Sequence, residues 1–379
     1  MNKKILIVQL GSYGDCLMAT ALARQLKKDH PDCVLTWAIS YKYKSIIENN
    51  QYIDSIWEIR HAANENIFGK TWLDTKREAE AKKQRGEFDE IFYSQIVPDN
   101  LSRFDGTTRS SLLRVYPSKI TVPVTPVLKL YDHEIKNVAA FIAKNNIHQY
   151  RHVILCECLP SSKQSFLNPE LMLNIAKNIL RDRDDTVFII SSHKSISGDD
   201  KAIIDASALS FRENAELSKY CTLLVGCSSG LTWLLTSEWA KKIPTVQFLN
   251  KKSNPFTFAS VKYDFNYYGL PADHILECTV NDPQKSAEII KSALENFSQA
   301  KEKNDEILQP SVYTLYLHLI DTFRLFSPVK SFLTIIGICK NFAHRNSVAF
   351  KVFSLLPFML IAVPFSRVYI EFKNRGMSK

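Results

Sequence analysis

A chain of 379 residues is too long for one small domain, and its 45% hydrophobic fraction supplies apolar surface for two cores of roughly 150 residues each. Of the net charge of +9, +8 lies after Thr322, where nine basic residues face a single acid, Glu371. The preceding body is nearly neutral and carries no recognised nucleic-acid motif. That argues against a nucleic-acid partner and makes the charge a property of the tail alone.

In chain order, residues 4–10 read as a first buried strand. Its apolar part, residues 5–10, follows two lysines but ends after six residues at Gly11, too short for a secretory signal, so a cytoplasmic protein is expected. A glycine-containing turn leads into a helix over 16–28, and strands follow at 34–39 and 90–94. Pro117, Pro123 and Pro126 oppose a helix or a central strand, so 116–127 is expected as loop or edge structure closing the first domain. A helix is expected over about 132–145. The second half then places strands at 152–157, 186–191, 223–226 and 245–248, and helices at 169–181, 214–219, 231–239 and 282–296. Strands alternating with helices imply parallel sheets covered on both faces. The expected fold is therefore α/β, with two doubly wound, Rossmann-like domains (1–150 and 151–304) facing a cleft.

Residues 305–379 form a basic apolar tail with two apolar stretches, 331–339 and 352–366. The second contains Pro357 and Pro364 and falls short of the roughly 20 residues a spanning helix needs. Basic residues bracket the apolar ones throughout. The tail is expected to lie in an anionic membrane interface, with packing against the body and a short span as alternatives. The eight cysteines are scattered, with no CxxC pair, and Cys156-x-Cys158 is too tight for the usual zinc spacing. Strand alternation points those two the same way, into a core. Buried free thiols of a reducing compartment are expected, with a structural disulfide as the alternative.

Four groups of residues are candidates for chemistry. In LGSYGDCLMAT (10–20) a strand ends at Gly11, Gly14 permits close approach, and Asp15 begins a helix. Asp15 reads either as a helix cap, worth about 1 kcal/mol, or as a general base facing a cleft. In GCSSGLTWLLTS (226–237), Ser228 and Ser229 with Gly230 and Leu231 open a helix after a strand. They read either as an anion site or as a serine cap with a glycine for packing. Lys163, in LPSSKQSF (159–166), is either a solvated loop lysine or a counter-charge for a diphosphate. Arg103, Arg109 and Arg114 follow the strand at 90–94 and read either as solvated charge or as a grip on an anionic acceptor.

Taken together, these segments resemble the heptosyltransferase-like glycosyltransferases (glycosyltransferase family 9, GT-B fold). The resemblance rests on the leucine-glycine-x-x-glycine-aspartate turn Leu10 to Asp15 followed by Leu17, on residues 30–59 as the second strand and following loop, and on residues 211–234 as the donor-site segment. It extends weakly over about 1–300 and omits the tail. It implies a GT-B enzyme that transfers sugar from a nucleotide-sugar with inversion and without metal or cofactor. Asp15 would be the acceptor's base, Lys163 would contact the donor diphosphate, and Ser228, Ser229, Gly230 and Leu231 would bind phosphates and sugar. Many members carry aspartate where this chain has Ser228, a departure that opens the donor to a different hexose or deoxysugar. With a membrane-interfacial tail, the expected acceptor is a lipid-linked or cell-surface glycan of the lipopolysaccharide, O-antigen or capsule type. A sugar-nucleotide epimerase on the same fold and a catalytically inactive, membrane-bound scaffold are the alternatives.

Overall fold

The computed structural model describes residues 2–309 apart from 97–99, 101–102, 104–109, 161–163, 197–199 and 251–259, and five positions beyond: 333, 336, 337, 357 and 361. Arg109, Lys163 and, those five positions aside, the tail after 309 lie outside the described residues.

The first half contains strands β1 (Lys4–Val8), β2 (Val34–Ser40), β3 (Ser55–Ile59) and β4 (Glu90–Tyr93). Its helices are α1 (Tyr13–Asp29), α2 (Lys70–Gln84), the single turn α3 (Ser110–Leu113) and α4 (Asp132–Lys144). The second half contains β5 (His152–Glu157), β6 (Thr186–Ser191), β7 (Ile203–Asp205), β8 (Leu223–Gly226), β9 (Thr245–Phe248) and β10 (Ile275–Cys278). Its helices are α5 (Pro169–Leu180), α6 (Glu213–Leu217), α7 (Gly230–Leu234), α8 (Val261–Tyr268), α9 (Pro283–Glu295) and α10 (Phe297–Asn304). All strand pairs are parallel, in the orders β3-β2-β1-β4 and β10-β9-β8-β5-β6-β7. The second order is that of a doubly wound dinucleotide-type sheet, with its direction of winding reversing between β5 and β8; the first reverses between β1 and β4.

Burial on both faces explains the near-continuous apolar strands. Leu6, Val8 and Ala38 lie on the outer face of the first sheet with Trp72 and Ala79 of α2. Ile154, Cys156, Phe188, Val225 and Phe248 lie on the outer face of the second, with Met172 and Ile175 of α5 and Ile290 of α9. The inner faces merge: Ile5, Ile7 and Leu17 share one core with Leu155, Val187, Leu224 and Trp233. Helix α1 runs through this core, so every residue from Cys16 to Leu26 is buried. The covering helices begin on strong signals. Asn168 and Asp282 accept the N–H groups of Leu171 (2.9 Å) and Lys285 (2.8 Å), each followed by proline at the first helical position.

Several element ends differ from the sequence-based expectation for local reasons. Strand β1 gives way after Val8: the Gln9 N–H still reaches the Ala38 carbonyl (3.2 Å), but those of Leu10 and Gly11 go to the Gln95 side chain at 3.1 and 3.2 Å. Helix α1 starts at Tyr13, with Ser12 at the cap position, so Asp15 sits inside the first turn and is not the cap. The helix expected over 231–239 is only Gly230–Leu234; the Thr236 hydroxyl donates to the Trp233 carbonyl at 2.7 Å, a local bond that competes with helix continuation. Residues 55–59, expected within a loop, form β3 at the sheet edge. The stretch 116–127 is loop as expected, pinned to α1 by Gln25, whose carbonyl oxygen accepts from Thr121 N (2.7 Å) and Val122 N (3.2 Å). The seven described cysteines are free and buried, and Cys156 and Cys158 share one core.

The halves are tied by Arg212, at the start of α6. Its guanidinium donates to both Glu134 oxygens (2.7 and 2.8 Å) and to the carbonyls of Ser45, Glu48 and Lys129, each at 2.7 Å. Nothing in residues 210–214 announces this role, since an arginine beside a glutamate reads as an ordinary solvated pair.

Candidate active site at two strand switch points

Each motif turn sits where its own sheet reverses direction, the position at which doubly wound sheets bind ligands. In the first sheet the turn after β1 is held from beneath by Gln95, just past β4. Besides the Leu10 and Gly11 amides, its side-chain oxygen accepts from Gln9 Nε2 at 3.0 Å. Gln9 Nε2 also donates to the Gly11 carbonyl (2.6 Å), and the Ser94 hydroxyl donates to Gln9 Oε1 (2.8 Å). Gly11 is required here: a Cβ would lie 2.5 Å from the Tyr43 ring and 2.8 Å from Ile67. Gly14 is buried in the first turn of α1, and Asp15 beside it is half-buried, with the Ser12 hydroxyl 3.5 Å from its Oδ2.

The second sheet repeats the arrangement. Gln247 of β9 accepts from Ser228 N at 2.7 Å and donates to the Thr232 hydroxyl at 3.1 Å. A Cβ on Gly226 would lie 2.4 Å from the Gln247 amide, so glycine makes room for that side chain. Ser228 is buried and left-handed (φ 54°). Ser229 takes the cap position of α7, and its hydroxyl donates to Glu157 Oε1; the Leu231 N–H donates to the same oxygen at 3.1 Å. The hydroxyl and N–H expected to face phosphate thus hold a carboxylate of the protein itself. Glu157 ends β5 and is buried. Burial pushes its carboxyl above the usual range, against the pull of Ser229, Leu231 and Cys227.

The two turns meet directly, because α1 and α7 pack together. A Cβ on Gly230 would lie 3.1 Å from Tyr13 Cβ and 3.3 Å from the Phe211 ring. The Tyr13 ring stands 4.4 Å from Phe211 and 4.9 Å from Tyr43. Gly11, Gly14, Asp15, Ser228, Ser229, Gly230 and Leu231 therefore belong to one region between the sheets.

Arg103 and Arg114 form a second group beside β4. Arg103 lines a hollow of about 240 Å³ with Lys76, Ile91, Phe92, Tyr93, Asn100 and Val115. Its Nη1 is buried without a hydrogen-bond partner among the described residues. Burial, and then the like charge of Arg114, push its guanidinium down from the ordinary value. Such a group suits an anionic ligand. Among the described residues, no group of three or more His, Cys, Asp or Glu is placed to hold a metal ion, and no helix is long and apolar enough to cross a membrane.

Sequence reasoning missed Gln95, Gln247 and Glu157. The available signal was a polar residue at the end of, or just beyond, an otherwise apolar strand, as in HVILCE and TVQF.

No protein-family model matches the chain, and no curated protein matches it. Among solved structures it is similar to a glycosyl transferase family 9 protein from Veillonella parvula DSM 2008, with 15% identity, a TM-score of 0.51, and 78% of this chain and 93% of that chain covered. It is similar to the same degree (TM-score 0.51, 11% identity) to the ADP-heptose lps heptosyltransferase II of E. coli, covering 78% of this chain and 99% of that chain. At these identities the likeness shows the fold, and the fold is the GT-B arrangement of two facing parallel-sheet domains that the sequence resemblance implied.

Proposed function

We propose that this chain is a glycosyltransferase that moves a sugar from a nucleotide-sugar to a lipid-linked or cell-surface glycan, with inversion and without metal. The observation that carries the reading is the direct meeting of two motif turns, each at the switch point of its own sheet. A base from the first domain and a donor held by the second then share one place. Asp15 takes the proton of an acceptor hydroxyl as the oxygen attacks the anomeric carbon, and the nucleoside diphosphate departs. Lys163 steadies the charge growing on that diphosphate, and Ser228 and Gly230 bind the donor's phosphates and sugar. Ser229 and Leu231 contribute through their grip on Glu157. The hollow at Arg103, with Arg114, receives an anionic part of the acceptor. The basic tail holds the enzyme at the anionic cytoplasmic face of the membrane, where a lipid-linked acceptor is presented.

The test is a thermal-shift screen against nucleotides and nucleotide-sugars without added metal, followed by turnover with the donor that binds. One nucleotide-sugar raises the melting temperature, because a ligand that binds only the folded state stabilises it by mass action. Asp15→Asn keeps that shift and lowers turnover by about 10²-fold or more. Full transfer by a folded Asp15→Asn protein overturns the base assignment. No shift with any nucleotide-sugar overturns the donor reading in favour of a scaffold, and donor conversion without acceptor points to an epimerase.

A further inference from the structure

We propose that Glu157 determines donor specificity by accepting hydrogen bonds from hydroxyl groups of the transferred sugar, an inference that rests on the donor-site reading above. Register places one row of side chains across the second sheet: Glu277, Gln247, Gly226, Glu157 and Ser191. Residues in one row of a parallel sheet share a face. Glu157 has the same parity as Val153 and Leu155, and Leu155 packs into the core between the two domains. Its side chain therefore points towards α7 and the first domain, at the β5–β8 switch point.

Its neighbours in the row are already engaged. Glu277 accepts from the Ser260 hydroxyl (2.8 Å), Val261 N (2.6 Å) and Lys262 N (2.8 Å) at the start of α8. Gln247 is engaged by Ser228 and Thr232. Glu157 differs: Oε1 takes the Ser229 hydroxyl and the Leu231 N–H, Cys227 lies against the carboxyl, and Oε2 is buried with no hydrogen-bond partner among the described residues. An unsatisfied buried carboxylate oxygen is expensive to leave as it is, and a donor completing it gains correspondingly.

The chemistry of the missing partner follows from the carboxyl oxygen. It accepts from a hydroxyl in either protonation state and offers a diphosphate no counter-charge. The part of a nucleotide-sugar that suits this oxygen is the sugar. Glu157 keeps 7% of its surface exposed. Its position is fixed by two bonds to the start of α7, which is how a specificity group is kept rigid.

The experiment is calorimetric titration of the full-length protein with the nucleotide-sugar found by thermal shift and, separately, with its free nucleoside diphosphate. Glu157→Gln retains an acceptor for Ser229 and Leu231 but replaces the second oxygen with an N–H donor. The expected result is a loss of about tenfold or more in affinity for the nucleotide-sugar, with the nucleoside diphosphate unchanged. Equal losses for both ligands mean that Glu157 is only a strut for α7 and overturn the proposal. Tighter binding of both means that it merely repels phosphate, and unchanged binding means that it touches nothing; each overturns it equally. A second measurement needs no variant. Donors lacking one sugar hydroxyl at a time are titrated against the native protein, and one of them binds about tenfold or more weakly. If every deoxy donor binds like the parent, the proposal is wrong even though the donor site stands. If the native protein binds no nucleotide-sugar at all, the donor-site reading itself fails.

Discussion

Replacing Arg212 with methionine is expected to destabilise the protein severely, and the size of the effect follows from what is left behind. Arg212 is 2% exposed and makes five hydrogen bonds across the join between the two halves. It also lies over the Tyr131 ring at 5.5 Å. Methionine fills similar volume but leaves the Glu134 carboxylate, 6% exposed, without its bidentate partner. Breaking a buried ion pair from one side costs about 3–5 kcal/mol, because the remaining charge stays desolvated. Converting the partner as well, in Arg212→Met with Glu134→Leu, removes that orphan and is expected to return at least about 2 kcal/mol. The carbonyls of Ser45, Glu48 and Lys129 still lack their donor, so recovery is incomplete. Urea denaturation of the single and double variants reads both numbers from midpoint and slope. A single-variant loss below about 1 kcal/mol, or a Glu134→Leu change that adds to the loss instead of relieving it, would refute the reasoning.

Two further outcomes are expected. Gly11→Ala drives a Cβ to 2.5 Å from the Tyr43 ring and should cost about 1–3 kcal/mol, measured by the same denaturation. Glu277 is raised by burial from 4.5 to about 6, which outweighs the Lys262, Ser260 and Val261 contacts that lower it. The folded state therefore binds more protons than the unfolded one between those values, and stability from this group falls by about 2 kcal/mol as pH rises from below 4.5 through 6. Glu277→Gln should flatten that part of the stability–pH curve; an unchanged slope would show that the group is not the source.

The alternation of strands and helices was legible because the inner strands are buried on both faces and read as uninterrupted apolar runs, as ILIV in β1 and LLVG in β8 do. Elements outside the core were harder to see. Helix α2 is mostly charged and buries little beyond Thr71, Trp72, Thr75 and Ala79, a stripe too narrow to stand out. Strand β10 is interrupted by Glu277, and β3 lies at a sheet edge with only Ile59 buried. At the site, both glycine turns were legible, because Gly11 and Gly226 fall at or just past recognisable apolar strands. What satisfies those turns was not. Gln95 is 84 residues from Gly11, and Glu157 is 72 from Ser229. Serines and a free helix start look alike in sequence whether their partner is a phosphate or the protein's own carboxylate.

That ambiguity bears on how the site works. Both switch points use a glutamine on or just past a neighbouring strand to fix the turn, Gln95 below Gly11 and Gln247 below Ser228. A glutamine is neutral, so it steadies the turn without setting the charge that a ligand meets. Charge enters separately on the two sides. Asp15 stands half-buried in the first turn of α1. Glu157 stands under α7, where burial opposes the carboxylate form. Two acidic residues thus stand at one meeting point, one half-buried and one buried. In the proposed reaction Asp15 takes the proton of the acceptor hydroxyl. Glu157 there faces the polar, uncharged part of the donor, which is the sugar.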